Sequence, residues 1–316
     1  MANFGYRNEV ESAKLSKMLL QMKQISSDVT NIIPVSLDPE IVKPALKKTP
    51  IYEQLKKFEP PESTYKWAVE TADNFGKFTY EPGTEFGAQK GTYGSPGSVS
   101  TCLMTYVLNI GLVAQKNVRN FANLVQEEQQ KGMESMRKGI ERCLITGAPA
   151  GATDGGVTDA HAFSGLDTLV STNVYNPTNA EAASIDTVDD YMDRCITAGA
   201  AESDLIMITD QRTLTNFSSL YYNTVNTQLD TMQAAAGFRV KSYRGMPIFT
   251  SDYSPTSSGS RKMYIVDTKS TIIPEFYGIS QLDIGRTGLS DDSIMFWMGA
   301  LAVKRETANA IITKIV

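Results

Sequence analysis

A glycine-rich stretch that leads toward one long amphipathic pattern most limits what this chain can fold into. Six glycines and two prolines fall between Gly76 and Gly97, with four aromatic side chains scattered among them. Ordering these 22 residues costs about 1–2 kcal/mol each, roughly 20–40 kcal/mol in total. So few apolar side chains cannot offset that cost within one chain. The sequence therefore predicts either disorder or a loop that becomes ordered across partner subunits.

The second alternative makes this loop a candidate assembly interface. Its aromatic side chains and one of its lysines are the residues we expect to contact a neighbour. They are Phe78, Tyr80, Phe86, Lys90 and Tyr93.

The pattern from Asn117 to Ile145 predicts one helix, which Gly147 ends. At about 1.5 Å per residue it would span roughly 40 Å, which is long for a compact domain. An ordinary surface helix packed on a core would show the same apolar stripe, but neither this length nor the preceding loop. We interpret the helix as a spine that supports assembly through Val118, Phe121, Val125, Met133, Met136 and Ile140.

Charge and composition exclude several classes of protein. The net charge is -5, and acidic and basic residues are interleaved, which disfavours a nucleic-acid-binding surface. The longest apolar runs fall far short of the roughly 20 residues that cross a bilayer. Residues 1–7 lack the features of a secretory signal, so we expect synthesis in a cytoplasm. The three cysteines match no zinc or disulfide pattern and are interpreted as buried small hydrophobic residues.

The sequence contains few residues in patterns that could carry out catalysis. His161 is the single histidine, so we predict no metal site, no cofactor and no enzyme activity; a hydrolase with His161 as its base is the remaining alternative. The run from Gly147 to Gly156 lacks the lysine of a phosphate-binding loop. Four aspartates at 186, 189, 190 and 193 are typical of the first turns of a helix, and a carboxylate metal cluster is the alternative interpretation.

Hydrophobic periodicity divides the rest of the chain into elements. A short helix over residues 10–25 precedes a proline-rich arm, and strands are predicted at residues 78–80 and 100–115. The second half reads as an α+β unit whose last strands return to the sheet of the first half. Its predicted helices cover 186–200 and 211–222, its strands 205–208, 238–243, 247–251 and 262–266, and the returning strands 294–298, 300–305 and 310–316.

The order and spacing of several short motifs resemble a known family. These are Leu144-Ile145-Thr146-Gly147 at the end of the long helix, Phe163-Ser164-Gly165-Leu166 in the connector, Leu205-Ile206-Met207-Ile208-Thr209-Asp210, Tyr243-Arg244-Gly245-Met246-Pro247-Ile248, Met263-Tyr264-Ile265-Val266-Asp267 and Leu301-Ala302-Val303-Lys304-Arg305-Glu306-Thr307. Over about residues 64–316 the chain resembles the major capsid proteins of tailed bacteriophages. Their fold, the Johnson fold, is shared with encapsulin shells.

The resemblance implies an α+β phage major-capsid fold with an N-terminal arm, an extended β-hairpin loop, a peripheral domain with a long spine helix and an axial α+β domain. On this chain the arm would be residues 1–63, and the first part of the peripheral domain 64–185. Within that part the loop would cover about 70–100 and the spine helix 117–145. The axial domain would be 186–285, and 286–316 would be the return strands of the peripheral domain.

The resemblance also implies a function and partners. The chain would be a structural, non-catalytic subunit whose pentamers and hexamers close an icosahedral shell around the genome of a tailed virus. Expected partners are a portal, a separate scaffolding protein and double-stranded DNA held by weak non-specific contacts, with no membrane. An encapsulin-like nanocompartment is the alternative. Some family members link a loop lysine to a neighbour's asparagine; the matching residue types here are Lys77, Lys90 and Asn309.

Overall fold

The computed structural model of the chain describes residues 49–72, 92–118, 124–149, 162–225, 229–233 and 239–316. It is a mixed α+β structure, as predicted. The helices are α1 Pro50–Gln54, α2 Leu112–Val118, α3 Leu124–Thr146, α4 Leu166–Leu169, α5 Ile185–Thr197 and α6 Gln211–Val225. The strands are β1 Lys56–Phe58, β2 Thr64–Trp67, β3 Glu70–Ala72, β4 Thr92–Tyr93, β5 Gly97–Ser100, β6 Cys102–Gly111, β7 Val174–Tyr175, β8 Leu205–Thr209, β9 Asp230–Gln233, β10 Arg239–Tyr243, β11 Met246–Thr250, β12 Arg261–Asp267, β13 Thr271–Thr287, β14 Ser290–Gly299, β15 Ala302–Val303 and β16 Ala310–Ile315.

A seven-stranded sheet organises the second half of the chain. Its order is β7-β16-β12-β8-β11-β10-β9. Strand β8 lies at its centre and is buried at all five positions, as its uninterrupted apolar sequence predicts. Helices α5 and α6 cover one face, where Met192 and Phe217 pack with Met207 of β8 in one core.

A second sheet contains the hairpin formed by the long strands β13 and β14. Its order is β1-β13-β14-β6, with β15 beside β13. Strand β1 runs parallel to β13. Helix α3 lies against β6, because a Cβ added at Gly139 would collide with the Met104 side chain.

The chain forms two compact units. Among the described residues, the smaller unit contains 107–118, 124–132 and 282–294, and the larger unit contains the rest. Within the smaller unit, the Leu112 amide donates to the Leu289 carbonyl at 2.9 Å, and Gln115 Nε2 donates to Asp291 Oδ2 at 3.1 Å.

Two predicted elements differ from the structure. The predicted strand 100–115 ends at Gly111, and residues 112–118 form α2. Of the predicted helix 117–145, residues 117–118 are helical in α2 and residues 124–145 in α3, while residues 119–123 lie outside the described ranges. Residues 310–315 do not return to the sheet of β6; they pair with β12 and β7 in the seven-stranded sheet.

The 17-residue strand β13 was not predicted. It lies in the sheet of β6, whereas the predicted axial domain extended to residue 285. The predicted helix 10–25 and strand 78–80 lie outside the described residues.

Candidate assembly surfaces

Both ends of the glycine-rich loop are held together by short antiparallel ladders. Strand β2 pairs with β5, with Trp67 opposite Gly97. Farther along, β3 pairs with β4, with Glu70 opposite Tyr93. The ladders form the root of a hairpin. Of the five predicted loop contacts only Tyr93 is described, in β4, while Phe78, Tyr80, Phe86 and Lys90 lie outside the described ranges.

An aromatic stack stiffens this root. Tyr65 stacks on Trp67 with ring centroids 5.6 Å apart, and Phe58 meets Tyr65 edge-on at 4.8 Å. The Trp67 indole lies so close to Gly97 that a Cβ there would collide with the ring. Large side chains therefore fix the β2–β5 ladder at the base of the loop.

A groove of about 1050 Å³ opens beside the root. Its walls are mostly apolar, and Glu306 lies at one side. They include Trp67, Val99, Leu103, Phe163, Leu301 and Val303. The Glu306 carboxylate accepts hydrogen bonds from Ser171 and Thr172 at 2.7–2.8 Å, which fastens the connector beside the groove.

The six predicted residues of the spine helix are divided by the structure. Met136 and Ile140 are buried in the core of their own subunit, so their side chains are not available to a neighbour. Met133 is 43% exposed and Val125 is half-buried. Val118 ends α2 rather than belonging to α3, and Phe121 lies outside the described residues.

Exposed apolar side chains of the sheet that contains β6 were missed in the sequence. In β6, Met104 points toward α3, and strand alternation places Leu103 on the opposite side of the strand, where it is 61% exposed. In β13, Tyr277 is 51% exposed, and its ring centroid lies 5.9 Å from that of the half-buried Phe296 in β14. Exposed aromatic and apolar side chains are typical of interfaces. The alternation in β6 was the signal that could have identified Leu103.

The root of the N-terminal arm is fastened by many contacts. Ile51 and Leu55 are buried, and the Tyr52 hydroxyl donates to Glu275 Oε1 at 2.7 Å. Burial and the Glu275 carboxylate hold the pKa of Tyr52 well above its usual range. The indole of Trp297 donates to the same carboxylate oxygen.

The carboxylate of Glu141, in α3, lies under this root. It accepts hydrogen bonds from the Ile51 amide at 3.1 Å, the Tyr52 amide at 2.9 Å and the Ser251 hydroxyl at 3.1 Å. Burial raises its pKa to about 7, although these three hydrogen bonds oppose the shift. The sequence offered no sign of this contact, because Ile51 and Glu141 are far apart in the chain.

Three of the four aspartates considered for a metal site form ion pairs with arginines. Asp189 and Asp193 pair with Arg244 at 3.1 and 3.2 Å, and Asp190 pairs with Arg194 at 2.8 Å. No group of three or more metal-ligating side chains occurs in the described part of the chain, and none of the described helices is long and apolar enough to span a membrane. His161 lies outside the described ranges.

Two further sequence interpretations can be compared with the structure. Cys143 and Cys195 are buried, as predicted, whereas Cys102 is only half-buried. Asn309 is fully buried. Its side chain accepts from the Asp267 amide and the Thr271 hydroxyl and donates to the Arg305 carbonyl, so it is not available for a cross-link between subunits.

Known structures share this fold. The chain matches the capsid of cyanophage A-1(L) with a TM-score of 0.68 at 14% identity, over 90% of this chain and 98% of that one. It matches the encapsulin of Synechococcus elongatus PCC 7942, in its holo-SrpI complex, with a TM-score of 0.66 at 14% identity, over 92% and 95%. A chain from Gordonia phage Cozz matches with a TM-score of 0.64 at 14% identity, over 91% and 92%.

Sequence comparison gives the family. Curated protein sequences give no significant match. A family model described as SU10 major capsid protein matches residues 24–316, nearly the whole chain. The chain therefore belongs to the SU10 major capsid protein family and forms the shell of a phage capsid.

Proposed function

We propose that pentamers and hexamers of this chain close an icosahedral shell around the double-stranded DNA of a tailed virus, without any catalytic role. The observation that carries the proposal is the hairpin root, where two ladders and the Trp67–Gly97 contact hold both ends of the glycine-rich segment together. A loop held in this way extends the interface of a subunit beyond its compact edge. Binding between copies then takes the place of chemistry.

The proposed domains follow the predicted order with one change. Residues 1–63 form the arm, and 64–185 with the returning strands form the peripheral domain. We now begin the return at β13 rather than at residue 286, because β13 pairs with β14 and β1. The axial domain is then built on the seven-stranded sheet, with β16 added to its edge region beside β7.

Fewer residues of the spine helix are now proposed as contacts between subunits. Met133 and Val125 remain candidates for contact with a neighbouring copy, since neither is buried. Phe78, Tyr80, Phe86, Lys90 and Tyr93 remain the proposed contacts of the loop. The exposed side chains of Leu103 and Tyr277, with the half-buried Phe296, are added candidates.

The other proposed partners are a portal and a separate scaffolding protein, with synthesis in the host cytoplasm before the subunit enters the virion. DNA would be held only by weak non-specific contacts. The similarity to an encapsulin keeps a cargo-storing nanocompartment as the second candidate. A portal or terminase gene beside this one would favour the virus, and an adjacent cargo-enzyme gene the compartment.

Deletion of residues 83–94 tests the role of the loop. We expect a chain that folds but does not form shells, because the deletion removes the middle of the glycine-rich segment with β4 and spares the buried core residues. Circular dichroism and thermal unfolding report the fold, and sedimentation reports assembly. Normal particles from the deleted chain would contradict the proposed role of the loop.

A further inference from the structure

Glu141 is a carboxylate in an unusual place. It is fully buried in the second half of α3, and its two oxygens accept hydrogen bonds from three groups in two distant parts of the chain. Two of the partners are backbone amides of α1, and the third is the Ser251 hydroxyl just after β11. A buried carboxylate is costly unless its lone pairs are satisfied, so this arrangement requires all three partners together.

Helix α1 depends on this carboxylate for its first turn. The residue before it, Thr49, makes no side-chain capping bond, and Pro50 has no amide proton to donate. Ile51 and Tyr52 are the next two residues, and their amides are the ones that Glu141 accepts. The cap of α1 is therefore supplied by a side chain about 90 residues away.

We propose that Glu141 is a proton-dependent latch that fastens the root of the N-terminal segment, residues 49–58, to the body of the subunit. When the root leaves, the carboxyl group loses its cover and meets water. The proton affinity of Glu141 and the docking of the root are then linked, because each state of the root favours a different state of the carboxyl.

The direction in which docking of the root changes with pH follows from the direction of the Glu141 pKa shift. In the docked state burial raises the pKa of Glu141 to about 7, above its ordinary value of 4.5. The docked state therefore binds the proton more tightly than the released state. Docking is strongest below the ordinary value and weakens as pH rises from there through the docked pKa.

Other charged groups near Glu141 do not reverse the upward shift of its pKa in the docked state. From α1, the negative charge of Glu53 raises the pKa of Glu141 further. From the loop after β11, burial and the charges of Asp252 and Glu141 raise the pKa of Tyr253, which keeps the phenol neutral in this range, while Arg142 of α3 opposes that shift. Glu275 of β13 accepts hydrogen bonds from the Tyr52 hydroxyl and the Trp297 indole.

Release of the root would change the reach of the subunit. Ten freed residues span at most about 33 Å when extended, so the preceding arm could reach that much farther. This consequence for assembly depends on the proposed contacts between subunits, whereas the latch itself does not. The experiment therefore measures the root in the soluble full-length chain.

Hydrogen exchange at the Ile51 and Tyr52 amides tests the latch. After correction for intrinsic exchange rates, we expect the opening equilibrium at both amides to increase about 30-fold between about pH 5.5 and 8.5. The Glu141→Gln variant should lose this dependence, because glutamine does not titrate. It should also expose Tyr52 more at low pH, because its Nε2 donor faces the Tyr52 amide.

Two controls make the result specific. Glu134→Gln, on the same helix, and His161→Gln, which removes the only histidine of the chain, should both retain the full pH dependence. A flat profile in the unmodified chain would overturn the proposal, as would an unchanged slope in Glu141→Gln. The latch is equally excluded if Ile51 and Tyr52 exchange at every pH at the same rate as the buried amides of β8, because the root would then open only with global unfolding.

Discussion

At position 97 the structure leaves room for a glycine and for no larger residue. The indole of Trp67 occupies the place where a Cβ would stand, and Tyr65 backs the indole on the same face of β2. Glycine is therefore needed at position 97 because the Trp67 ring packs against the backbone there, and not because the backbone must be flexible. The sequence predicted a glycine-rich loop that ends here, but it could not show which glycine a tryptophan would cover.

Gly97→Ala should disturb the root of the loop. We expect a loss of about 1–3 kcal/mol in unfolding free energy, because the rigid indole must move to admit the methyl group. Assembly should weaken as well, since the base of the proposed interface loop is displaced. Gly278→Ala is the matched control, because no atom lies within 4 Å of its added Cβ. Equal stability of the two variants in chemical denaturation would contradict this account of the root.

The apolar stripe of α3 serves two purposes that periodicity alone does not separate. Ile140 is fully buried, whereas Met133 is 43% exposed on the same helix. Both fit the same helical pattern in the sequence. Which side of the stripe faces the core depends on how α3 lies against β6, where the Met104 side chain packs against Gly139.

Ile140→Ala and Met133→Ala should therefore behave differently. Removal of the buried side chain should cost about 2–5 kcal/mol of unfolding free energy. Removal of the exposed one should leave the unfolding midpoint nearly unchanged and reduce shell formation. Thermal unfolding paired with sedimentation measures both effects. A Met133→Ala chain that assembles normally would remove this residue from the proposed interface.

At the scale of elements, strong local patterns were predicted well. Strand β8 is an uninterrupted apolar run, and α5 and α6 carry clear helical periodicity, so their positions were predicted within a few residues. Gly147 ends α3 as predicted: its amide donates to the Cys143 carbonyl at 2.9 Å, and the close approach of the Phe163 carbonyl excludes a side chain.

Strand β13 shows why other elements were missed. Pro274, Gly278 and Gly285 interrupt its sequence, and such residues usually end a strand. Here the Pro274 carbonyl still accepts from the Ala300 amide at 3.1 Å, and its missing amide proton is tolerated beside the short parallel strand β1. The partners that stabilise β13 are distant in the chain, so local propensity did not reveal it.

The whole molecule is a shell subunit, and its fold is shared by phage capsids and an encapsulin. Its described residues include two large sheets and one long helix, and the proposed contacts lie on the glycine-rich loop, on that helix and on exposed side chains of the sheet that contains β6. The fold alone therefore does not determine whether the shell holds DNA or a protein cargo.

Particles purified from the native source should contain double-stranded DNA. We expect that DNA to resist nuclease while the shell is closed and to become sensitive once the shell is opened by denaturant. Gel electrophoresis of extracted nucleic acid checks this directly. Particles that instead hold a single abundant protein and no DNA would favour the nanocompartment.

Electron microscopy of the purified full-length chain tests the central claim most directly. Closed round particles of uniform size, which disappear when residues 83–94 are deleted, are the predicted result. A chain that stays monomeric at every concentration, alone and when expressed with the proposed scaffolding protein, would contradict the conclusion that this subunit builds a shell.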